Sequence, residues 1–470
     1  MSDESAEARW SPRAGPDPAP VGLLRQSAAL VVVSVATAGF GVVFRASAAL
    51  VFRRLFAASD VVSAFERLPS LLRPPIVACG GLLAGVVGLA AARHRSSQGV
   101  GGVMEAVALG RGHISLRASS WKALGCWLAI VTGSSVGREG PIIQFGGAIA
   151  STVSAVGKLA PERARVLIAA GTAAGFAAAY NTPLAAALFV LEVVIGVVTI
   201  DVVLATILAS AIATAITRLA IGGGPIYGAR SFSLTSNAEL VLHLALGAAA
   251  GVVGAAFGAL LAFAERWFAR VPVKQPFTAA AGACFVGALA MLLPEVTGNG
   301  YEVINRVLDG ALAVEAMLVL LAAKMIATSV SVGSGTPGGA FTPSLFLGAA
   351  LGGVLGDGLG AAFPGHPNAA GAYALVGMAA VCAATTHAPL MAAVLVFELS
   401  GDYSIVLPLL VATFASTLVA RRIRPTSMYM DELARRGVAW RMTWSGREVS
   451  EERAGGEADK PHAADEPRDA

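Results

Sequence analysis

Between residues 27 and 420 the chain is an almost unbroken series of apolar stretches of uneven length. They lie near 27–52, 74–92, 121–132, 141–157, 164–179, 183–217, 239–264, 276–293, 311–331, 341–363, 372–397 and 403–420. A compact soluble domain could not hide all of these, because it would still need a polar surface. Only 14% of the residues are charged and 56% are hydrophobic, against about 25% charged in an ordinary soluble domain. Lipid must be the remaining solvent. The stretches are continuous rather than alternating, which predicts helices and not barrel strands. The 54 glycines suit close helix packing, where no hydrophobic force drives helices together. The fold class expected is an all-α polytopic membrane protein.

The polar ends divide the chain further. Residues 1–26 read as a disordered polar arm, 27–220 and 221–424 as two membrane halves, and 425–470 as a short tail too small for a regulatory domain, disordered from about 445. The basic cluster Arg421-Arg422-Ile423-Arg424 after the last apolar stretch puts the C-terminus on the cytoplasmic side. A net charge of +4 is spread over loops and tail, which argues against nucleic-acid binding. Cys79, Cys126, Cys284 and Cys382 form no close pair and are expected in the core. His243 and His387 show no ligand spacing, so neither a metal nor a cofactor is expected.

Several stretches are too short to span a bilayer. Short, Gly- and Pro-interrupted segments at matching places in two halves point to a transporter with broken helices. The halves do repeat: Gly171–Glu192 laid on Gly377–Glu398 without a gap gives eleven identities in twenty-two positions, with Pro183 on Pro389 and Glu192 on Glu398. A second pair, Gly137-Arg138-Glu139-Gly140-Pro141 and Gly339-Ala340-Phe341-Thr342-Pro343, shares a GxxxP frame. Each frame reads as a loop feeding a helix N-terminus, where proline costs nothing.

Helix N-termini facing one point would hold an anion without a full cationic side chain, weakly enough to release it. Glu139 is the candidate gate, since an ionisable group at a broken membrane helix is costly and its carboxylate resembles the anion. The other reading of Glu139 is a helix-start carboxylate that satisfies backbone amides. Arg138 either attracts anions and keeps Glu139 ionised or pins the loop to carbonyls. Phe341 offers a backbone amide, and its ring reads as packing. Glu192 and Glu398 read as helix-end carboxylates bonded to nearby backbone, with Lys324 and Arg45 as basic groups that would pair with them. One enzyme signal is present: Gly133-Ser134-Ser135-Val136-Gly137 satisfies GxSxG, and an intramembrane serine hydrolase would need His243 or His387 beside Ser135. Nothing in a strand–turn–helix context supports it, so enzymatic activity is not expected.

The segments GREGPIIQFGG at 137–147, AAAYNTPLAAALFVLE at 177–192, SGTPGGAFTPSLFLG at 334–348 and SMYMDEL at 427–433 resemble the CLC family of chloride channels and chloride/proton antiporters, over about residues 27–435. The resemblance implies a CLC-type fold of two inverted repeats with broken and tilted helices, a homodimer with one anion pathway per subunit, and a multi-pass place in the cell (plasma or inner) membrane with both termini cytoplasmic. It implies that Glu139 is the external gate, that the backbone of Arg138 and Gly140 belongs to the outer anion site, that the amides of Ala340 and Phe341 bind the central anion, and that the Tyr429 hydroxyl touches that anion from the inner side.

Two departures matter. At Ser97-Gln98-Gly99-Val100-Gly101-Gly102-Val103 the family usually reads GSGIPE or GHGVPE, so Gln98 and Gly99 fall at its anion-binding turn. A Gln amide is longer than a Ser hydroxyl, which opens fluoride or nitrate as alternatives to chloride. Val193 stands where many family antiporters carry an inner proton-accepting glutamate, and valine carries no proton. This tips the expectation towards a passive chloride channel, with proton-coupled antiport gated by Glu139 as the alternative.

Overall fold

The computed structural model describes residues 20–92, 99–109, 113–196, 198–224, 226–228, 239–362, 369–434, 439–443 and 446–450. The first half contains α1 (Pro20–Phe56), α2 (Val61–Arg67), α3 (Arg73–Ala92), α4 (Gly99–Leu109), α5 (Leu116–Val131), α6 (Glu139–Val156), α7 (Pro161–Tyr180), α8 (Pro183–Leu188) and α9 (Ile200–Ile221). The second contains α10 (Glu239–Arg270), α11 (Gln275–Leu289), α12 (Tyr301–Leu308), α13 (Val314–Gly333), α14 (Phe341–Ala362), α15 (Ala369–Thr386), α16 (Pro389–Ser400), α17 (Val406–Ile423) and α18 (Met428–Ala434). Six helical segments among the described residues are long and apolar enough to cross a membrane, and four shorter apolar helices, such as Pro389–Ser400, are not. The fold is the broken-helix, multi-pass membrane architecture expected.

Packing repeats between the halves. α6 packs on α7 as α14 does on α15, α7 on α9 as α15 on α17, and α1 on α9 as α10 on α17, while α3 lies against α11 across the halves. Small residues make this possible. A Cβ on Gly146 would stand 2.2 Å from the Gly171 carbonyl oxygen, and one on Gly348 the same distance from that of Gly377. Only glycine lets α6 meet α7, and α14 meet α15, backbone to backbone. The matching ends agree too: Asn181 and His387, which close α7 and α15, both take the left-handed conformation at φ 59°. Pro183 and Pro389 then open α8 and α16 in the first turn, where no amide is lost.

Several expectations are corrected. α1 begins at Pro20, inside the segment read as a disordered arm, because Val21, Leu23 and Leu24 continue the apolar stretch towards the N-terminus and proline fits the first turn of a helix. The tail is not polar from its start: α18 packs against α4 and α15 with Leu433 fully buried. Beyond it, Ala439–Thr443 (β1) and Gly446–Ser450 (β2) pair as an antiparallel hairpin, where disorder was expected from about 445. Cys126 and Cys382 are buried, but Cys79 and Cys284 are exposed on α3 and α11. Against lipid an outward apolar face is as favourable as an inward one, so hydropathy does not separate the two.

Lys324 and Arg45 do not pair with Glu192 or Glu398. The fully buried Lys324 ammonium donates to the carbonyls of Val296 (2.9 Å), Thr297 (3.4 Å) and Gly298 (2.8 Å), which uses all three of its donors. Arg45 Nη1 donates to the Ala178 carbonyl at 3.4 Å.

Candidate functional site

The two GxxxP frames meet. Gly137 N donates to Gly339 O at 2.7 Å and Gly339 N to Gly137 O at 2.9 Å, an antiparallel bridge between the halves. The bridge sets the first residues of α6 and α14, Glu139 and Phe341, side by side at two converging helix N-termini. Each N-terminus carries unpaired amides and about half a positive charge.

Glu139 is buried at 1% exposure, yet its carboxylate is fully engaged. Oε1 accepts from the Thr342 amide at 3.1 Å and Oε2 from the Thr342 hydroxyl at 2.7 Å. The Tyr180 hydroxyl lies 2.8 Å from Thr342 Oγ1. The carboxylate thus leaves its own helix and sits on the first turn of α14. Room for it comes from glycine: a Cβ on Gly137 would stand 2.1 Å, and one on Gly339 2.9 Å, from Glu139 Oε1. Such a charge at a helix N-terminus is held by charge-assisted bonds that an anion in the same place would also receive.

A cavity of about 290 Å³ is lined by Glu139, Gly140, Ala340, Phe341, Gly99 and Tyr429. Six of the candidate site residues therefore share one space. Phe341 is 1% exposed, and its ring packs edge-on against Phe176 and Phe189, with centroids 5.6 and 6.4 Å away. Phe189 in turn meets Tyr429 edge-on at 6.0 Å. This aromatic wall ties α7, α14, α18 and the turn Phe189–Ile195 that follows α8 together around the cavity.

Other candidates lie elsewhere. The Arg138 guanidinium stands 4.8 Å over the Tyr301 ring, a cation–π contact, and Arg138 is not among the residues that line the cavity. Val193 is buried in the π-helical turn Phe189–Ile195 that follows α8. Gln98 lies outside the described residues. Ser135 donates or accepts at 3.0 Å with Thr328 Oγ1, and its amide donates to Ser331 Oγ at 3.2 Å. His243 stacks on Tyr373, and His387 is the left-handed end of α15. The histidines proposed for a hydrolase have these packing and capping roles.

Sequence reasoning missed Thr342, Tyr180 and Gln144. Gln144 Oε1 accepts from the Gly99 amide at 2.7 Å while its Nε2 donates to Ser119 Oγ at 3.2 Å, fixing the start of α4. All three stand inside motifs already singled out, and Thr342 takes the place of Gly140 in the repeated frame. Polar residues within a glycine-rich membrane motif were the available signal.

Residues 80–421 match the family described as voltage gated chloride channel. A ClcB-like chloride channel protein of Ralstonia nicotianae is 37% identical over 379 residues, covering 80% of this chain and 88% of that protein. The voltage-gated ClC-type chloride channel ClcB of Citrobacter koseri is 32% identical over 410 residues, 86% of this chain and 97% of its own. A slow cyanobacterial Cl−/H+ antiporter of solved structure is similar at a TM-score of 0.78 and 25% identity, over 88% of this chain and 98% of that one. A CLC-type fluoride/proton antiporter, 24% identical at a TM-score of 0.71 over 87% of this chain and 98% of that one, shares the fold.

Proposed function

The chain belongs to the voltage-gated chloride channel family, the CLC proteins, and from that premise we propose that it carries chloride across the membrane through the cavity between Glu139, Phe341 and Tyr429. The observation that carries this reading is the Glu139 carboxylate bound to the Thr342 amide and hydroxyl at the start of α14. A carboxylate there blocks the place an anion would take, and protonation removes the charge that holds it. Glu139 is thus the gate, and the amides around Gly140, Ala340 and Phe341 are the anion's partners, with the Tyr429 hydroxyl below them.

Within that reading the flux is passive. Val193 supplies no proton acceptor beside Glu192, and both Glu192 and Glu398 are committed to backbone amides. The similarity to a Cl−/H+ antiporter supports the competing reading, proton-coupled exchange. We place the protein in the cell membrane as a homodimer, with the Arg421–Arg424 side and both termini cytoplasmic.

The deciding experiment follows chloride efflux and external pH together from reconstituted liposomes under a valinomycin-set potential. Chloride movement without linked proton flux is the expected result. Chloride movement that drives protons uphill overturns passive conduction in favour of exchange, and no anion flux overturns the function.

A further inference from the structure

Glu139 is not the only carboxylate in the cavity. Glu432 lines the same space, three residues after Tyr429 on α18, and Lys122 of α5 lines it too. A Cβ on Gly99 would stand 2.6 Å from Glu432 Oε1 and 3.3 Å from Lys122 Nζ, and one on Gly101 would stand 3.2 Å from Glu432 Cδ. The carboxylate therefore fills the volume that side chains on the first turn of α4 would occupy. Gly99 is at φ +79° and its amide is held by Gln144, so this turn is fixed, and Gly99 and Val100 border the cavity. Tyr429 lies within electrostatic reach of both Glu139 and Glu432.

The two glutamates stand in parallel positions. Glu139 puts its carboxylate on the N-terminal turn of α14, and Glu432 puts its own on the N-terminal turn of α4, with the cavity shared between them. We propose that Glu432 is a second, proton-operated gate: charged, it holds the start of α4 against the passing anion, and protonated from the solution on the α18 side it gives up that place. The proposal rests on the reading of this cavity as the anion path.

The charged groups that share the cavity with Glu432 include Lys122 of α5 and Glu265 of α10. Asp431 is engaged by Arg424 and by Thr426 Oγ1, α4 carries Glu105 six residues past Gly99, and α15 carries Tyr373 and Cys382.

The test uses the full chain in planar bilayers with the pH of each chamber set separately. The chamber whose acidification the Glu139→Gln variant no longer answers marks the Glu139 side. In the wild type, acidifying the opposite chamber should raise the anion current, by up to about tenfold per pH unit, the limit for one titrating group. Glu432→Gln should be open at neutral pH and lose this response while keeping the response from the Glu139 side. A Glu432→Gln variant that keeps its response to the opposite chamber overturns the proposal while the anion-path reading stands. A wild type that carries no anion overturns both.

Discussion

Glu192 and Glu398 each close the start of the other's helix. The Glu192 carboxylate accepts from the amides of Leu390 at 3.4 Å and Met391 at 2.8 Å, in the first turn of α16. Glu398 accepts from Leu184 at 3.0 Å and Ala185 at 2.8 Å, in the first turn of α8. The two halves are thus locked at their symmetry-related ends by four charge-assisted bonds. Each carboxylate sits where the helix dipole favours negative charge. They bond to backbone as expected, but the backbone belongs to the opposite repeat.

The exchange of caps predicts matched effects. Glu192→Ala and Glu398→Ala should each destabilise the protein by about 1–3 kcal/mol, because each strips two amides of a charged acceptor. Thermal unfolding of the detergent-solubilised protein measures it. A large loss for one and none for the other would show that the pairing is not reciprocal in energy.

Glu139→Gln should leave anion flux in place and remove its dependence on the pH of the Glu139 side, since the amide cannot lose a proton. Thr342→Val, which deletes the hydroxyl 2.7 Å from Oε2, should weaken the closed state and raise flux at neutral pH. Liposome efflux over a pH series reads both. Persistence of the pH response in Glu139→Gln would take the gate role from this residue.

Tyr429→Phe keeps the ring that meets Phe189 edge-on and removes only the hydroxyl. The expected outcome is a changed selectivity series among chloride, nitrate and fluoride, with a shift in unfolding temperature corresponding to less than about 1 kcal/mol. An unchanged series would make the tyrosine a packing residue.

The glycine crossings should be sharply position-dependent. Gly146→Ala and Gly348→Ala force a methyl to within 2.2 Å of a carbonyl oxygen and should cost about 1–3 kcal/mol or more. Gly39→Ala in α1 meets nothing within 4 Å and should be neutral or stabilising by up to about 1 kcal/mol. Monodispersity and unfolding temperature of the three variants test the contrast.

The sequence carried the class of the molecule and much of the site. Uneven apolar stretches, the repeat from Gly171 and Gly377, and the two GxxxP frames marked the broken helices and pointed to Glu139 and Phe341, while Tyr429 was implied only by the resemblance of SMYMDEL to the CLC family. These signals are local: hydropathy, proline position and residue identity along the chain. Lys324 shows where they stop. Its charge was visible, but the three carbonyls that satisfy it come from a turn some 26–28 residues away, and no spacing rule connects them.

The sequence by itself determined that this chain spans a membrane as a two-fold repeat of short and long helices, because a lipid solvent leaves no other use for so much apolar surface. Tertiary structure alone decided which helix start each carboxylate serves: Glu139 on α14, Glu192 on α16 and Glu398 on α8. It also decided that Cys79 faces outward while Cys126 is buried. In a bilayer the core and the outer face are equally apolar. Hydropathy therefore leaves orientation open, and the polar pairings across the repeats fix it.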